Sequence, residues 1–249
     1  IRTAFVAKPG HRFIVADFSA IEARVIAWLA DEAWRLEVFK THGKIYEASA
    51  SQMFKIPIEE IKKGSALRQK GKVAELALGY QGGSGALTKM GALKMGLKEE
   101  ELQDLVDAWR NANPAIVRLW GEVGRAAMKA VEVGGAFVIR HGIRFIKRGA
   151  FLCVELPSGR SLYYARPHIA DNQFGSKALK YEGMNQTTKQ WGVQDTYGGK
   201  LVENIVQAIA RDCLALTMRR LEKAGYRIVM HVHDEVILET ANETGSLEE

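Results

Sequence analysis

Two runs near the C-terminus, residues 226–232 and 236–239, alternate apolar and polar positions. Both are rich in β-branched side chains, and two such runs around a tight connection predict a β-hairpin. Its turn region, within His231-Val232-His233-Asp234-Glu235, carries Asp234 and Glu235 and no glycine. Hairpin turns favour Asn-Gly, Asp-Gly or Gly-Gly, which tolerate positive φ. Two acids exposed at a hairpin tip are poor turn chemistry, and local rules tend to fail at functional sites. Two acids at a hairpin tip suit a metal-binding platform, but taken alone the pair reads first as a solvated acidic turn. Near the N-terminus, residues 12–18 read as a short buried strand. Ser19-Ala20-Ile21-Glu22 then opens a helix, with Ile21, Val25, Trp28 and Leu29 at helical spacing. Ser19-x-x-Glu22 also fits a capping box, in which the glutamate reaches back to the first helical amide. Asp17 therefore stands where a strand ends and a helix begins.

Between these ends the pattern is mostly helical. Helical spacing covers residues 19–40, with a break at Asp31-Glu32, and residues 45–54. Pro57 starts another helix, since proline is tolerated in a first turn. Residues 66–80 form a helix that runs into the glycine-rich stretch 79–85, and residues 98–109 and 114–133 form two more. Short β-like runs follow at 137–139, 145–146 and 152–156, and residues 167–198 are polar and read as loop-rich. Residues 201–224 form a long helix, with Arg219, Arg220 and Lys223 at its negative end and Gly225 as its stop. The expectation is an α+β fold. A sheet is built from both chain ends, and a mainly helical lobe is inserted between them.

Composition narrows the class. The 249 residues are enough for one large domain or two lobes. A hydrophobic share of 47% and a charged share of 26% are ordinary for a globular chain, and the net charge of +6 suits a polyanionic partner without requiring one. Two cysteines, Cys153 and Cys213, make no disulfide framework, which points to a reducing compartment. No apolar run has membrane-spanning length, so no membrane partner is expected. The chain opens at Ile1 without an initiator methionine, so it is expected to be part of something longer. His231-x-His233 lacks a Cys/His partner set for zinc, and the 79–85 run lacks the Gly-x4-Gly-Lys-Ser/Thr pattern of a phosphate loop.

Three stretches carry a resemblance. Asp17-Phe18-Ser19-Ala20-Ile21-Glu22-Ala23-Arg24 resembles the first polymerase motif of family A DNA polymerases, the bacterial polymerase I and phage-type group. His233-Asp234-Glu235 resembles the third motif. Residues 68–80 resemble the nucleotide-binding helix, with its Arg-x3-Lys-x6-Gly-Tyr spacing. The three occur in the family's order over nearly the whole chain. The resemblance implies a right-hand polymerase core, with residues 1–40 and 196–249 as palm, 41–195 as fingers, and the thumb upstream of Ile1. It also implies a phage-type, cytoplasmic enzyme, acting in a bacterial or phage-infected cell as a monomer within a longer polymerase. Its partners would be primer–template DNA and deoxynucleoside triphosphates.

The residue roles follow from that likeness and from the chemistry of each group. Two Mg²⁺ ions would be held by Asp17, Asp234 and the main-chain carbonyl of Phe18, with Glu235 as an outer catalytic group. Arg68, Lys72, Leu76 and Tyr80 recur every fourth residue and drift slowly around one broad helix side. Arg68 and Lys72 make a cationic stripe for nucleotide phosphates, and Lys72 is the implied proton donor to pyrophosphate. Glu75 lies close to both on the helical wheel and is expected to pair with Lys72. Leu76 replaces the family's usual aromatic residue, Tyr46 stands where bacterial members carry histidine, and Lys44 replaces a nearby acid. Tyr80 matches the family's tyrosine beside the templating base. Gln207, Arg211 and His233 are the implied DNA contacts. Glu22 is the implied steric gate against ribonucleotides, held by Tyr80. A single-subunit RNA polymerase shares the aspartates and the Arg/Lys helix but lacks a glutamate matching Glu22. A non-catalytic nucleic-acid-binding remnant would not need Asp17, Asp234, Arg68 and Lys72 together.

Overall fold

The computed structural model describes residues 4–172 and 175–245. Among these residues the fold is α+β, and contacts divide the chain into two compact units. One, the terminal unit, comprises Ile1–Glu22 and Gln207–Glu249; the other, the central unit, comprises Ala23–Val206.

In the terminal unit, β1 (His11–Asp17), β8 (Arg227–Val232) and β9 (Glu235–Ala241) form an antiparallel sheet in the order β1-β9-β8. Strand alternation sends Ile14, Val236 and Leu238 to one face. There they meet Leu214 on helix α8 (Gly198–Lys223), with Met218, Leu221, Tyr226 and Ile228 around them. Full burial of each such side chain stabilises by about 1.5–3 kcal/mol, so this small cluster holds the helix on the sheet. Phe13, Val15 and Ile237 take the other face and line a cavity of about 330 Å³.

The central unit begins with helices α1 (Ile21–Ala30), α2 (Ala33–Thr41), α3 (Ile45–Phe54) and α4 (Ala66–Leu78). α1 starts two residues before the unit's boundary. Helices α5 (Ser84–Lys89), α6 (Leu102–Ala112) and α7 (Pro114–Glu132) follow. The helix expected after Pro57 is only a 3-10 turn at Ile58–Glu60. Its sequence offers too few apolar positions to anchor a longer one. Helix α1 starts at Ile21, behind an Ala20 at φ 52. Ser19 therefore lies two residues before the first helical residue.

Charged side chains lock the helices together. The Arg35 guanidinium is 1% exposed and grips Glu75 with both terminal nitrogens, Nη1 at 2.8 Å from Oε2. Its Nε donates to Asn113 Oδ1 at 2.6 Å. Glu75 also accepts from Ser49 Oγ at 2.8 Å and Trp109 Nε1 at 3.0 Å. The expected Glu75–Lys72 pair is thus replaced by a buried knot joining α2, α3, α4 and α6. Glu32 is likewise buried and accepts from the amides of Ala115 and Ile116, at 2.8 and 3.2 Å. It caps the first turn of α7, whose amides have no intrahelical partner.

The stretch expected to be loop-rich instead completes a second sheet. Strands β2 (Ala136–Val138), β3 (Arg144–Arg148), β4 (Phe151–Glu155), β5 (Ser161–Asp171), β6 (Lys177–Met184) and β7 (Trp191–Thr196) pair in sequence order, all antiparallel. Phe145, Leu152, Val154 and Tyr164 are buried on the face that packs against α7. The opposite face is open to solvent apart from the buried Cys153. One-sided burial is what an antiparallel sheet allows, and it removes the apolar signal from half of every strand.

Candidate active site

The carboxylates sit in the terminal unit. β1 and β9 pair from His11↔Ala241 to Asp17↔Glu235, so Asp17 ends its strand opposite the first residue of the next. The hairpin turn is His233-Asp234, one residue earlier than the sequence reading placed it. His233 adopts φ 53, the left-handed conformation a two-residue turn needs and glycine ordinarily supplies. For a residue with a Cβ this costs about 1–2 kcal/mol. The turn is tied to β1 by the Phe18 amide, which donates to the Asp234 carbonyl at 3.4 Å. Asp17 is exposed and Asp234 half-buried. Glu235 is 8% exposed and lines the apolar cavity beside Phe13, Val15 and Ile237. The expectation of two exposed acids at the tip therefore fails, since Asp234 is in the turn but half-buried and Glu235 is buried. Strand pairing pulls Glu235 inward.

The DNA-contact candidates lie in the same unit. His233 is exposed in the turn, and Gln207 is exposed on α8. One turn on, Arg211 Nη1 lies 3.4 Å from His231 Nδ1. Glu22 is exposed in the first turn of α1.

The cationic helix belongs to the central unit. Ser65 caps α4 by accepting from the Arg68 amide at 3.2 Å. Gly71, Val73, Ala74 and Leu78 are buried, and Gly71 is required. A Cβ there would meet the Tyr46 carbonyl oxygen at 2.2 Å and Ala50 Cβ at 3.1 Å. With that face against α3, Arg68 and Lys72 are left half-buried and Leu76 is 50% exposed. Arg68 Nε donates to Glu47 Oε1 at 2.6 Å, and its guanidinium lies 5.5 Å from the Tyr46 ring centroid. Burial, then the negative charge of Glu75, raises the Tyr46 phenol pKa above its usual value, outweighing Arg68. The Lys72 side chain has no hydrogen bond or ion pair among the described residues. Beyond the helix, Trp120 Nε1 donates to the Gly79 carbonyl at 3.0 Å and fixes the approach to half-buried Tyr80. Gly198 and Gly199 open α8 against this region. A Cβ on Gly199 would stand 2.5 Å from the Tyr80 carbonyl oxygen.

The family model for DNA polymerase family A matches residues 1–247. The chain belongs to that family. It is 63% identical over 240 residues to a DNA polymerase of Bacillus phage SP02, covering 96% of this chain and 37% of that protein. It is 27% identical over 247 residues to the thermostable DNA polymerase I of Thermus aquaticus, covering 98% of this chain and 24% of that one. The solved POL domain of Pol1 from M. smegmatis, in complex with DNA primer-template and dNTP, superposes with a TM-score of 0.65. At 22% identity, over 98% of this chain and 36% of that one, it shares the fold. The chain thus spans little more than a third of the length of its phage relative.

Sequence reasoning about this family A chain missed Glu47, Arg35 and Ser65. Ser65 had a signal, a serine three residues before Arg68 at a helix start. Glu47 and Arg35 had none, because their partners lie 21 and 40 residues away. No helix of the described residues is long and apolar enough to cross a membrane. Among them no group of three or more His, Cys, Asp or Glu is arranged to hold a metal ion. Mg²⁺ asks for less, because it uses one or two carboxylates together with water and substrate phosphates. Asp17 and Asp234 are hard oxygen donors at one end of one sheet, and they fit that demand.

Proposed function

We propose that the chain is the palm-and-fingers core of a DNA-directed DNA polymerase, with residues 1–40 and 196–249 as palm and 41–195 as fingers. It transfers deoxynucleotides to a primer 3′-hydroxyl and releases pyrophosphate. The observation that carries this is the pairing of Asp17 with the hairpin of Asp234, through the Asp17↔Glu235 register and the Phe18–Asp234 bond. Asp17, Asp234 and the Phe18 carbonyl would hold two Mg²⁺, which would lower the pKa of the attacking hydroxyl and stabilise charge on the leaving oxygens. Glu235 backs the hairpin from the protein side. Arg68 and Lys72 take the phosphates of the incoming nucleotide, and Lys72 delivers a proton to pyrophosphate. Lys72 starts without an ion pair, whereas Arg68 must exchange Glu47 for phosphate, so the two contribute at different stages. Tyr46, Leu76 and Tyr80 shape the nucleotide's surroundings, Glu22 excludes a ribose 2′-hydroxyl, and Gln207, Arg211 and His233 hold the primer–template. The relatives' names, the family match and the two carboxylates at one end of the sheet support this reading.

The test is primer extension on a DNA template in Mg²⁺, with deoxy- and ribonucleotides compared. Asp17→Ala and Asp234→Ala are each expected to abolish extension while far-UV circular dichroism and duplex binding stay as in the parent. Turnover retained in either variant would remove the metal assignment, and ribonucleotide preference would favour an RNA polymerase.

A further inference from the structure

The six-stranded sheet carries most of the chain's positive excess. Residues 136–196 hold nine Lys and Arg against four Asp and Glu, an excess of five where the whole chain has +6. Each of those four acids is already engaged. Arg144 and Arg148 hold Glu155, and Arg166 holds Glu182 at 3.0 Å. Lys180 and Lys177 hold Asp195 and Asp171 at 2.9 Å each. No carboxylate of the segment is left to repel an approaching phosphate.

The solvent face of this sheet also displays rings. Register places Arg148, Phe151, Ala165, Glu182 and Val193 side by side across five strands. Two residues along each strand, the same face carries Tyr163 on β5, Met184 on β6 and its partner Trp191 on β7. Tyr163 is 65% exposed, Trp191 58% and Phe151 44%. Phe151 and Tyr163 meet edge to face at 6.1 Å. The Trp191 Nε1–H donates to Glu182 at 3.2 Å, which holds the indole in place. Exposed apolar patches of this kind mark interaction sites. An apolar protein partner has no use for the charge, and a duplex hides its bases from the rings. A single strand offers phosphates to the cations and π-faces to the aromatics.

We propose that this face binds single-stranded DNA, namely the unpaired template strand. Only the strand's identity rests on the polymerase reading; the binding itself does not. The stacking rings are Tyr163, Trp191 and Phe151, and the segment's net excess of five positive charges, beyond the paired Arg166 and Lys180, supplies the field along the backbone.

The experiment is fluorescence anisotropy of a labelled single-stranded oligothymidylate titrated with the full 249-residue chain. Tyr163→Ala combined with Trp191→Ala is expected to weaken binding about tenfold or more, with the thermal midpoint and blunt-duplex binding unchanged. Tyr163→Phe and Trp191→Phe keep a ring and keep the affinity. Trp191→Phe also removes the fluorescence quench that the oligonucleotide causes. Asp17→Ala leaves oligothymidylate binding intact, so a failed polymerase assignment is read separately. Unchanged affinity in the double alanine variant overturns the proposal. Equal loss of duplex binding, or a change confined to self-association by light scattering, overturns it as well.

Discussion

Glu75→Ala tests whether the buried knot of Arg35 organises the region around α4. The substitution leaves the Arg35 guanidinium, 1% exposed, with Asn113 Oδ1 as its remaining side-chain partner. It also removes the acceptor of the Ser49 hydroxyl and the Trp109 indole. Breaking a buried ion pair on one side costs about 3–5 kcal/mol. Each neutral donor left unsatisfied adds about 1–3 kcal/mol before water or repacking relieves it. The expected loss is therefore at least about 4 kcal/mol, a large share of a domain stability of about 5–15 kcal/mol. Glu75→Gln keeps one acceptor and the shape, and loses less. Arg35→Met combined with Glu75→Leu removes both charges, so the double variant is more stable than the sum of its single changes predicts. The assay is urea unfolding followed by tryptophan fluorescence. All five tryptophans, at 28, 34, 109, 120 and 191, lie in the central unit, so the signal reports that unit. A loss below about 1 kcal/mol in Glu75→Ala, or strict additivity in the double variant, would refute the argument.

Gly71→Ala should lower the thermal midpoint despite alanine's better helix propensity of about 1 kcal/mol, because its Cβ would meet the Tyr46 carbonyl; a raised midpoint would contradict the packing. The Tyr164 phenol is pushed up to about 12 by burial, against the hydrogen bond from Asn204. Its neutral form is favoured in the fold, so its contribution is complete below pH 10 and disappears as the pH rises from 10 through 12. That loss is on the order of 2 kcal/mol, and urea midpoints of Tyr164→Phe should not show it. Glu22→Ala should raise ribonucleotide use relative to deoxynucleotide use, while Glu22→Gln stays selective. Glu22 stands in the first turn of α1, so Ala also forfeits a dipole contribution of about 0.3–1 kcal/mol. An unchanged ratio of catalytic efficiencies would place the gate elsewhere.

Much of the helical framework is legible in the sequence. The helix over 45–54 matches to the residue, and 114–133 to within one, because Pro114 marks the start of the second and apolar spacing the rest. The three motifs locate Asp17, Asp234 and the Arg68–Lys72 helix. Strands β6 and β7 are not legible. Lys180, Glu182 and Asp195 lie on their open face, and Gly183 pairs with Gly192, so backbone register rather than alternating hydrophobicity holds them. Helix α5 starts at the end of the glycine-rich run and continues past it to Lys89. The wheel puts Glu75 near Lys72 but cannot see Arg35 on another helix. The hairpin is right in kind and wrong by one residue, since nothing in His233-Asp234-Glu235 announces a histidine with positive φ.

The pairing of β1 with β9 fixes an order of events during synthesis. Asp17 and its partner Glu235 are separated by more than two hundred residues. A ribosome adding about 5–20 residues per second takes roughly ten to forty-five seconds to bridge that gap. Until then β1 has no strand beside it, and Phe13 and Val15 lack their eventual neighbours. Open strand edges invite wrong pairing, and charges beside them suppress it. Lys8, Arg12 and Asp17 bracket this run with charge. The carboxylate end of the sheet is accordingly assembled last, once the hairpin has emerged, so a nascent chain carries the motif long before it carries the site.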